Sequence, residues 1–323
     1  MPDRDADAPE TVGHYLVEWL SHVRGRVRAR TWQGYEGLIR LYALPSIGAL
    51  ELVKVQPLDL QHLYSRLLAR EVRQLSAGTI LNLHLVLHQA FGQAVRWGMI
   101  ASNPVDGAQP PRPRRPEFTA IDTALVERIL SDLRGHPIEL AVAIAVATGM
   151  RRGEICGLRW SDLDENLTVA QVRRTLQVAR PELIFEHPKT ARSRRAVALP
   201  QFLRPYLVAQ RKRQVRTIVE LDRPGPPSDV VVDGKDGALM NPDSLTNWWR
   251  RYVAKAGLPH LRFHDLRHAH ATLMLLQGVH PKVVSERLGH SSVGITLDTY
   301  SHVLPGMQAE AVRAFDELFK TPV

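Results

Sequence analysis

The chain has 323 residues, 44% of them hydrophobic, with a formal net charge of +9 and a pI near 10. That length suits two domains, and no apolar run approaches the roughly 20 residues that span a bilayer. Met1 to Glu10 is acidic and carries no apolar signal region, so a cytoplasmic protein is expected, and the single cysteine, Cys156, excludes an intramolecular disulfide or a cysteine-built zinc cluster.

Residues 11–102 read as helices. Val12, Tyr15, Leu16 and Trp19 share one helical face, and Leu38, Leu41 and Tyr42 form another after Thr31. Pro57 suits the first turn of a helix carrying Leu60, Leu63, Tyr64 and Leu67. Ser76 is placed to cap a long helix through Ile80, Leu83, Leu87, Ala90, Phe91 and Ala94. Composition then shifts. Asn103 to Pro116 holds Pro104, Pro110, Pro111, Pro113 and Pro116 with Arg112, Arg114 and Arg115, which reads as an extended basic linker. Beyond it Asp122 can cap a helix through Val126, Ile129 and Leu130, and Ile138 to Ala147 is apolar enough to be a buried helix. Short strands are expected at Leu167–Val169, Leu176–Val178, Leu183–Phe185 and Ala196–Leu199. Helices return at about 201–217, 242–256, 264–277, 280–288 and 307–319. The fold class is therefore mainly α with a small antiparallel β-sheet. It divides into a tail (1–10), a helical domain (11–102), a linker (103–117) and a larger domain (118–323).

The basic charge favours a polyanionic partner, most simply nucleic acid. Only 7 of the 42 basic residues are lysine, an arginine bias that GC-rich coding also produces, so charge alone does not decide. Residue types narrow the chemistry. A phosphodiester under attack gathers negative charge on its phosphoryl oxygens, and arginine matches two such oxygens while staying charged. His264 and Arg267 lie three apart and face one way on a helix. Arg151 follows a Thr-Gly turn that can present it at a helix start. Tyr300 is a candidate nucleophile; its hydroxyl, with an ordinary pKa near 10, needs a base or a positive field. Two arginines would supply the field, and a histidine could accept the proton. Lys189 lies between expected strands, where a hairpin tip could reach a bound polyanion. Cys156, within Ile155–Leu158, reads as a small core residue, and Trp248 and Trp249 as core or phosphate-packing residues rather than base-stacking ones. His264 and His268 have zinc-ligand spacing, but Arg267 beside them would repel a cation, so no metal site is expected.

Together these segments resemble one family. Thr148-Gly-Met-Arg-Arg-Gly-Glu154 and its continuation to Asp164 resemble the first arginine box of the tyrosine recombinases, the phage integrase family. Lys189-Thr followed by Arg194-Arg195 and a hydrophobic strand resembles its β-hairpin lysine. His264-Asp-Leu-Arg267, Leu288-Gly-His290 and Thr296-Leu-Asp-Thr-Tyr300 resemble its remaining boxes, in the family's order. The resemblance covers about 118–317, and 11–102 is similar, less specifically, to the family's SAM-like core-binding domain.

The resemblance implies a site-specific DNA recombinase of the integrase type, acting without cofactor, metal or ATP. It makes Tyr300 the nucleophile that forms a 3′-phosphotyrosyl link and frees a 5′-hydroxyl. Arg151, Arg267 and His290 would stabilise the transition state, Lys189 would protonate the leaving oxygen, and His264 would assist proton transfer. Glu154 would buttress the pocket. Arg112, Arg114, Arg115, Arg192 and Arg194 are expected to touch DNA. Expected partners are duplex DNA, other protomers in a homotetramer on two DNA sites, and accessory DNA-bending or directionality factors. The stripe Ala309, Val312, Phe315, Leu318 and Phe319 would dock on a neighbouring protomer or on its own domain. The role spans integration, excision or resolution. The rivals are a type IB-like topoisomerase and a catalytically inactive DNA-binding regulator.

Overall fold

A computed structural model of the chain describes residues 9–69, 74–113, 121–179, 181–187, 194–220 and 229–300, with 312, 313, 315, 316 and 319. The chain divides into two compact units, Met1–Glu117 and Phe118–Val323.

The first unit is helical. Helix α1 (Val12–Val23) is capped by Thr11, whose side chain accepts from His14 N, and it buries Val12, Tyr15, Leu16, Trp19, Leu20 and Val23. Helix α2 (Ala29–Leu38) runs into a π turn, Ile39–Ala43, and then into α3 (Leu44–Ile47). Here the expected apolar face is corrected. Ile39 and Ala43 are buried, Leu41 is exposed, and Leu38 and Tyr42 are half-buried. Pro45 offers no N–H to continue the ladder; the turn before it widens, Leu44 N bonding Ile39 O, and the buried face shifts. Helix α4 (Pro57–Leu68) starts on Pro57 and buries Leu60, Leu63, Tyr64 and Leu67. Helix α5 (Ala77–Arg96) is capped by Ser76, which accepts from Thr79 N, and it buries the expected stripe with Val86 added. Burying side chains of this size contributes about 1.5–3 kcal/mol each. Pro104–Gly107 forms a 3-10 turn, and Val105 and Ala108 join this unit's core, so the start of the proline-rich stretch packs rather than runs free.

In the second unit Asp122 caps α6 (Thr123–Asp132) through Leu125 N, burying Val126 and Ile129, with Leu130 packed at the core's edge. Helix α7 (Glu139–Thr148) is buried from Leu140 to Thr148, as its apolar run demands. The short α8 (Arg152–Gly157) follows. Among the described residues four strands, β1 (Val169–Val172), β2 (Thr175–Ala179), β3 (Glu182–Glu186) and β4 (Arg195–Ala198), form two antiparallel pairs. Strand β2 pairs with β3, Gln177 opposite Ile184, and β1 pairs with β4, Ala170 opposite Val197. The first strand starts two residues later than expected because Thr168 and Val169 give their N–H groups to the Asp164 carboxylate in a tight turn. Helices α9 (Arg204–Glu220), α10 (Pro242–Lys255), α11 (Asp265–Leu276), α12 (Pro281–Leu288) and α13 (Val293–Tyr300) complete the described fold. Trp249 is buried with its indole N–H on Leu261 O at 2.9 Å, and Trp248 packs half-buried against the same core. Cys156 is buried and its thiol is pushed up to about 12 by burial, which leaves it unreactive. At the C-terminus Val312, Phe315 and Phe319 are exposed, and Ala309 and Leu318 lie outside the described residues. No helix among the described residues is long and apolar enough to cross a membrane.

Candidate active site

The site is built on two glycines with left-handed backbone. Gly149 ends α7 at φ 64°, a conformation that costs an L-residue roughly 1–2 kcal/mol. A Cβ there would also lie 2.6 Å from Leu288 Cδ2 and 2.7 Å from His270 Cδ2. Only glycine turns the chain here, and the turn delivers Arg151 to the start of α8 in extended conformation. Glu154, one helical turn on, accepts from Arg151 N at 2.9 Å and from Arg151 NH1 at 2.9 Å. Arg195, at the head of β4, grips the same carboxylate through NH1 (3.2 Å) and NH2 (2.9 Å). Burial alone would raise the Glu154 carboxyl, but the Arg195 hydrogen bond and the charges of Arg195 and Arg151 hold it below the usual carboxylate range. Helix α8 can approach β2 this closely because a Cβ on Gly157 would stand 2.9 Å from Leu176 N and one on Gly153 2.8 Å from Leu176 O.

Gly289, at φ 69°, ends α12 in the same way. The two turns expose backbone carbonyls that aim the arginines. Arg267 NH1 donates to Gly149 O at 2.6 Å and NH2 to Leu288 O at 2.7 Å, while Arg151 NH2 donates to Gly289 O at 3.2 Å. Arg267 is 3% exposed; burial, then the charges of Arg151 and Arg195, press it down to about 9, still cationic at neutral pH.

Around these cations the imidazoles are held neutral. His264, at the start of α11, is lowered to about 4 by burial and by the neighbouring His268 and Arg267. His290 is lowered to about 4 by burial, Arg267 and Arg151, and its Nδ1 meets Thr296 Oγ1 at 2.8 Å. His268 is lowered in the same direction, chiefly by burial, and its ring stands edge-on to that of His264 at 5.0 Å. Tyr300, at the end of α13, is 2% exposed among Ala271, Leu275, Val284 and Leu288. Its hydroxyl lies 2.7 Å from His268 Nδ1, and burial, only partly opposed by Arg267, raises it to about 12.

Five of the residues singled out from the sequence thus fall in one place: Arg151, His264, Arg267, His290 and Tyr300. They are joined through Gly149, Leu288, Gly289 and His268. Lys189, Arg192, Arg114 and Arg115 lie outside the described residues. Arg112 and Arg194 are exposed. Sequence reasoning missed Arg195 as the second grip on Glu154, Thr296 as the partner of His290, and His268 as the partner of Tyr300. Thr296 had a signal, one helical turn before Tyr300 on the same face. Arg195 and His268 had none, since their partners lie 41 and 32 residues away.

A mainly helical protein with buried arginines, neutral imidazoles and a buried phenol is equipped to hold a phosphodiester and move its protons. Residues 121–306 match the phage integrase family, and residues 11–68 match the phage integrase N-terminal SAM-like domain. A tyrosine recombinase XerC-like protein of Caldanaerobacter subterraneus subsp. tengcongensis is 30% identical over 96% of this chain and 83% of its own. Two solved structures share the fold. A Tn1549 transposon integrase in complex with a circular intermediate DNA has a TM-score of 0.78 at 24% identity, covering 94% of this chain and 99% of that one. A lambda integrase, from a tetramer bound to a Holliday junction, has a TM-score of 0.68 at 17% identity, covering 89% and 80%. The chain belongs to the phage integrase family. It is a tyrosine recombinase, an enzyme class that breaks and rejoins DNA in site-specific recombination.

Proposed function

We propose that Tyr300 is the nucleophile of this recombinase and that Arg151, Arg267 and His290 hold the scissile phosphate. The observation that carries the reading is the convergence of both guanidiniums on adjacent carbonyls, Leu288 O and Gly289 O, beside the Tyr300 segment. Tyr300 Oη attacks phosphorus, the P–O5′ bond breaks, and a 3′-phosphotyrosyl link conserves the bond energy, so rejoining needs no ATP. Two guanidiniums neutralise charge on the phosphoryl oxygens as it develops. His264 assists proton transfer, and Lys189 protonates the departing O5′. Arg112, Arg114, Arg115, Arg192 and Arg194 contact the DNA.

The substrate is duplex DNA in the cytoplasm, where residues 11–102 act as a core-binding domain and 103–117 as a basic linker. Pairing of two sites calls for a homotetramer, with accessory DNA-bending or directionality factors setting the outcome. The role is integration or excision of a mobile element, or resolution. Support comes from the lambda integrase tetramer on a Holliday junction and the Tn1549 integrase on a circular intermediate, both of this fold.

The test uses DNA fragments flanking the protein's own gene, mixed with protein in EDTA without ATP. Sequencing the covalently trapped DNA gives the site, and a plasmid carrying two copies of that site then reports the reaction. Recombinant products are expected. Relaxation of plasmids lacking the site, with no exchange, would instead establish a topoisomerase, and binding without adduct an inactive regulator.

A further inference from the structure

The hydroxyl proposed to attack DNA already has a partner that no motif of the sequence assigned to it. Tyr300 Oη and His268 Nδ1 are 2.7 Å apart, well inside hydrogen-bond range, with ring centroids at 5.7 Å. The other imidazoles are engaged elsewhere. His290 presents Nδ1 to Thr296, and His264 meets His268 edge-on. His268 itself sits one residue beyond Arg267, so the group that touches the phenol is rigidly coupled to the cation expected on the phosphate.

We infer that His268 is the base that takes the phenolic proton from Tyr300 during cleavage and returns it during rejoining. The inference rests on Tyr300 being the nucleophile. In the step, the Oη–H bond breaks and its proton passes to the lone pair on Nδ1, with the other ring nitrogen carrying the resting N–H. The Oη electron pair forms the bond to phosphorus, and the P–O5′ bond breaks with O5′ taking a proton from Lys189. Rejoining runs the same transfers backward, so no proton is gained or lost over the cycle. The charged and titratable groups around His268 set its resting state. Arg262 and Arg267 disfavour a resting imidazolium, Asp265 favours it, and burial outweighs Asp265, so the ring starts neutral and able to accept. His264 and His290 are the neighbouring imidazoles, and both are held neutral as well.

The experiment separates proton acceptance from simple positioning. Wild type, His268→Asn, His268→Gln and Tyr300→Phe are compared on a nicked suicide duplex carrying the site recovered by trapping. Adduct formation is timed in single turnover at saturating protein. The duplex is made in two forms, with oxygen or with sulfur at the 5′-bridging position of the scissile phosphate. Sulfur leaves without a proton, so it rescues defects on the leaving-group side only. Asn keeps a hydrogen-bonding group near the Nδ1 position but has no basic nitrogen, and Gln is the second variant should Asn not fold. The expected result is adduct formation slowed about 100-fold or more on both duplexes, in the range that general-base catalysis contributes, with DNA binding retained. An Asn or Gln rate within threefold of wild type would overturn the inference, because a hydrogen bond without basicity would then suffice. Full rescue by sulfur would overturn it too, placing His268 on the leaving-group side. An adduct persisting in Tyr300→Phe would instead remove the nucleophile assignment, an outcome distinct from either.

Discussion

Arg267 has two jobs that pull on the same guanidinium. It closes Gly149 O and Leu288 O, which would otherwise be buried carbonyls without it, and it carries a charge kept from water. Arg267→Ala is expected to slow adduct formation by about 10²–10³, the range seen when a donor to a developing oxyanion is removed. It should also cost about 1–3 kcal/mol of stability from the carbonyls left unpaired. Arg151→Ala should show the rate loss with a smaller stability loss, because 41% of its side chain is exposed. Single-turnover cleavage and chemical denaturation of each variant check both; a cleavage rate within tenfold of wild type in either would contradict the phosphate-binding roles. At this scale Arg151, His264, Arg267, His290 and Tyr300 were legible in the sequence because each sits in a short segment of distinctive residue types. The roles of Arg195 on Glu154, Thr296 on His290 and His268 on Tyr300 were not read. Their importance is a distance across the fold, and Arg195 in particular looks like one more basic residue until it is found 6% exposed on Glu154.

Among elements, α7, α11 and α12 meet at Gly149 and His270. His270 Nδ1 contacts Val146 O at 2.7 Å, while Arg287 donates to its Nε2 at 3.0 Å and to Ala147 O at 2.8 Å. This arrangement requires a neutral ring, and burial with the Arg287 charge lowers His270 from 6.5 to about 4. The unfolded chain therefore takes up a proton between about pH 6.5 and 4 that the folded chain refuses. Stability from His270 is complete above pH 6.5 and is lost as pH falls toward 4; His264 and His290 act in the same direction. Thermal melting should fall steadily between pH 7 and 5, and His270→Gln should flatten that slope; a melting temperature that rises over this interval would rule the account out. Gly149→Ala is expected to destabilise by at least the roughly 1–2 kcal/mol of a left-handed alanine, with more from the crowding by Leu288 and His270. The apolar runs of α1, α4, α5 and α7 were readable because periodicity reports the buried face directly. The face after Thr31 was misjudged because a π turn changes the period, and its cue, Pro45, lies beyond the residues it shifts.

Over the whole molecule, the net charge of +9 agrees with a polyanionic partner. Affinity for DNA should fall steeply with salt, by about 10³–10⁵ between 50 and 200 mM if some 6–10 phosphates are neutralised; a salt-independent Kd in a titration would deny that footing. The chain divides into two compact units after Glu117, and Val105 and Ala108, within the proline-rich stretch, are core of the first. The apolar signal there is only two side chains among prolines and arginines, too small to register as an element. The claim on which everything else stands is that the buried phenol at the end of α13 becomes joined to DNA. The direct measurement is to trap the protein on DNA from beside its own gene, in EDTA and without ATP, digest the denatured adduct, and locate the nucleotide-bearing peptide by mass spectrometry. The account predicts a single nucleotide on Tyr300, linked through a 3′-phosphate, and no adduct from Tyr300→Phe. A nucleotide on any other residue, or an adduct undiminished in Tyr300→Phe, would contradict it.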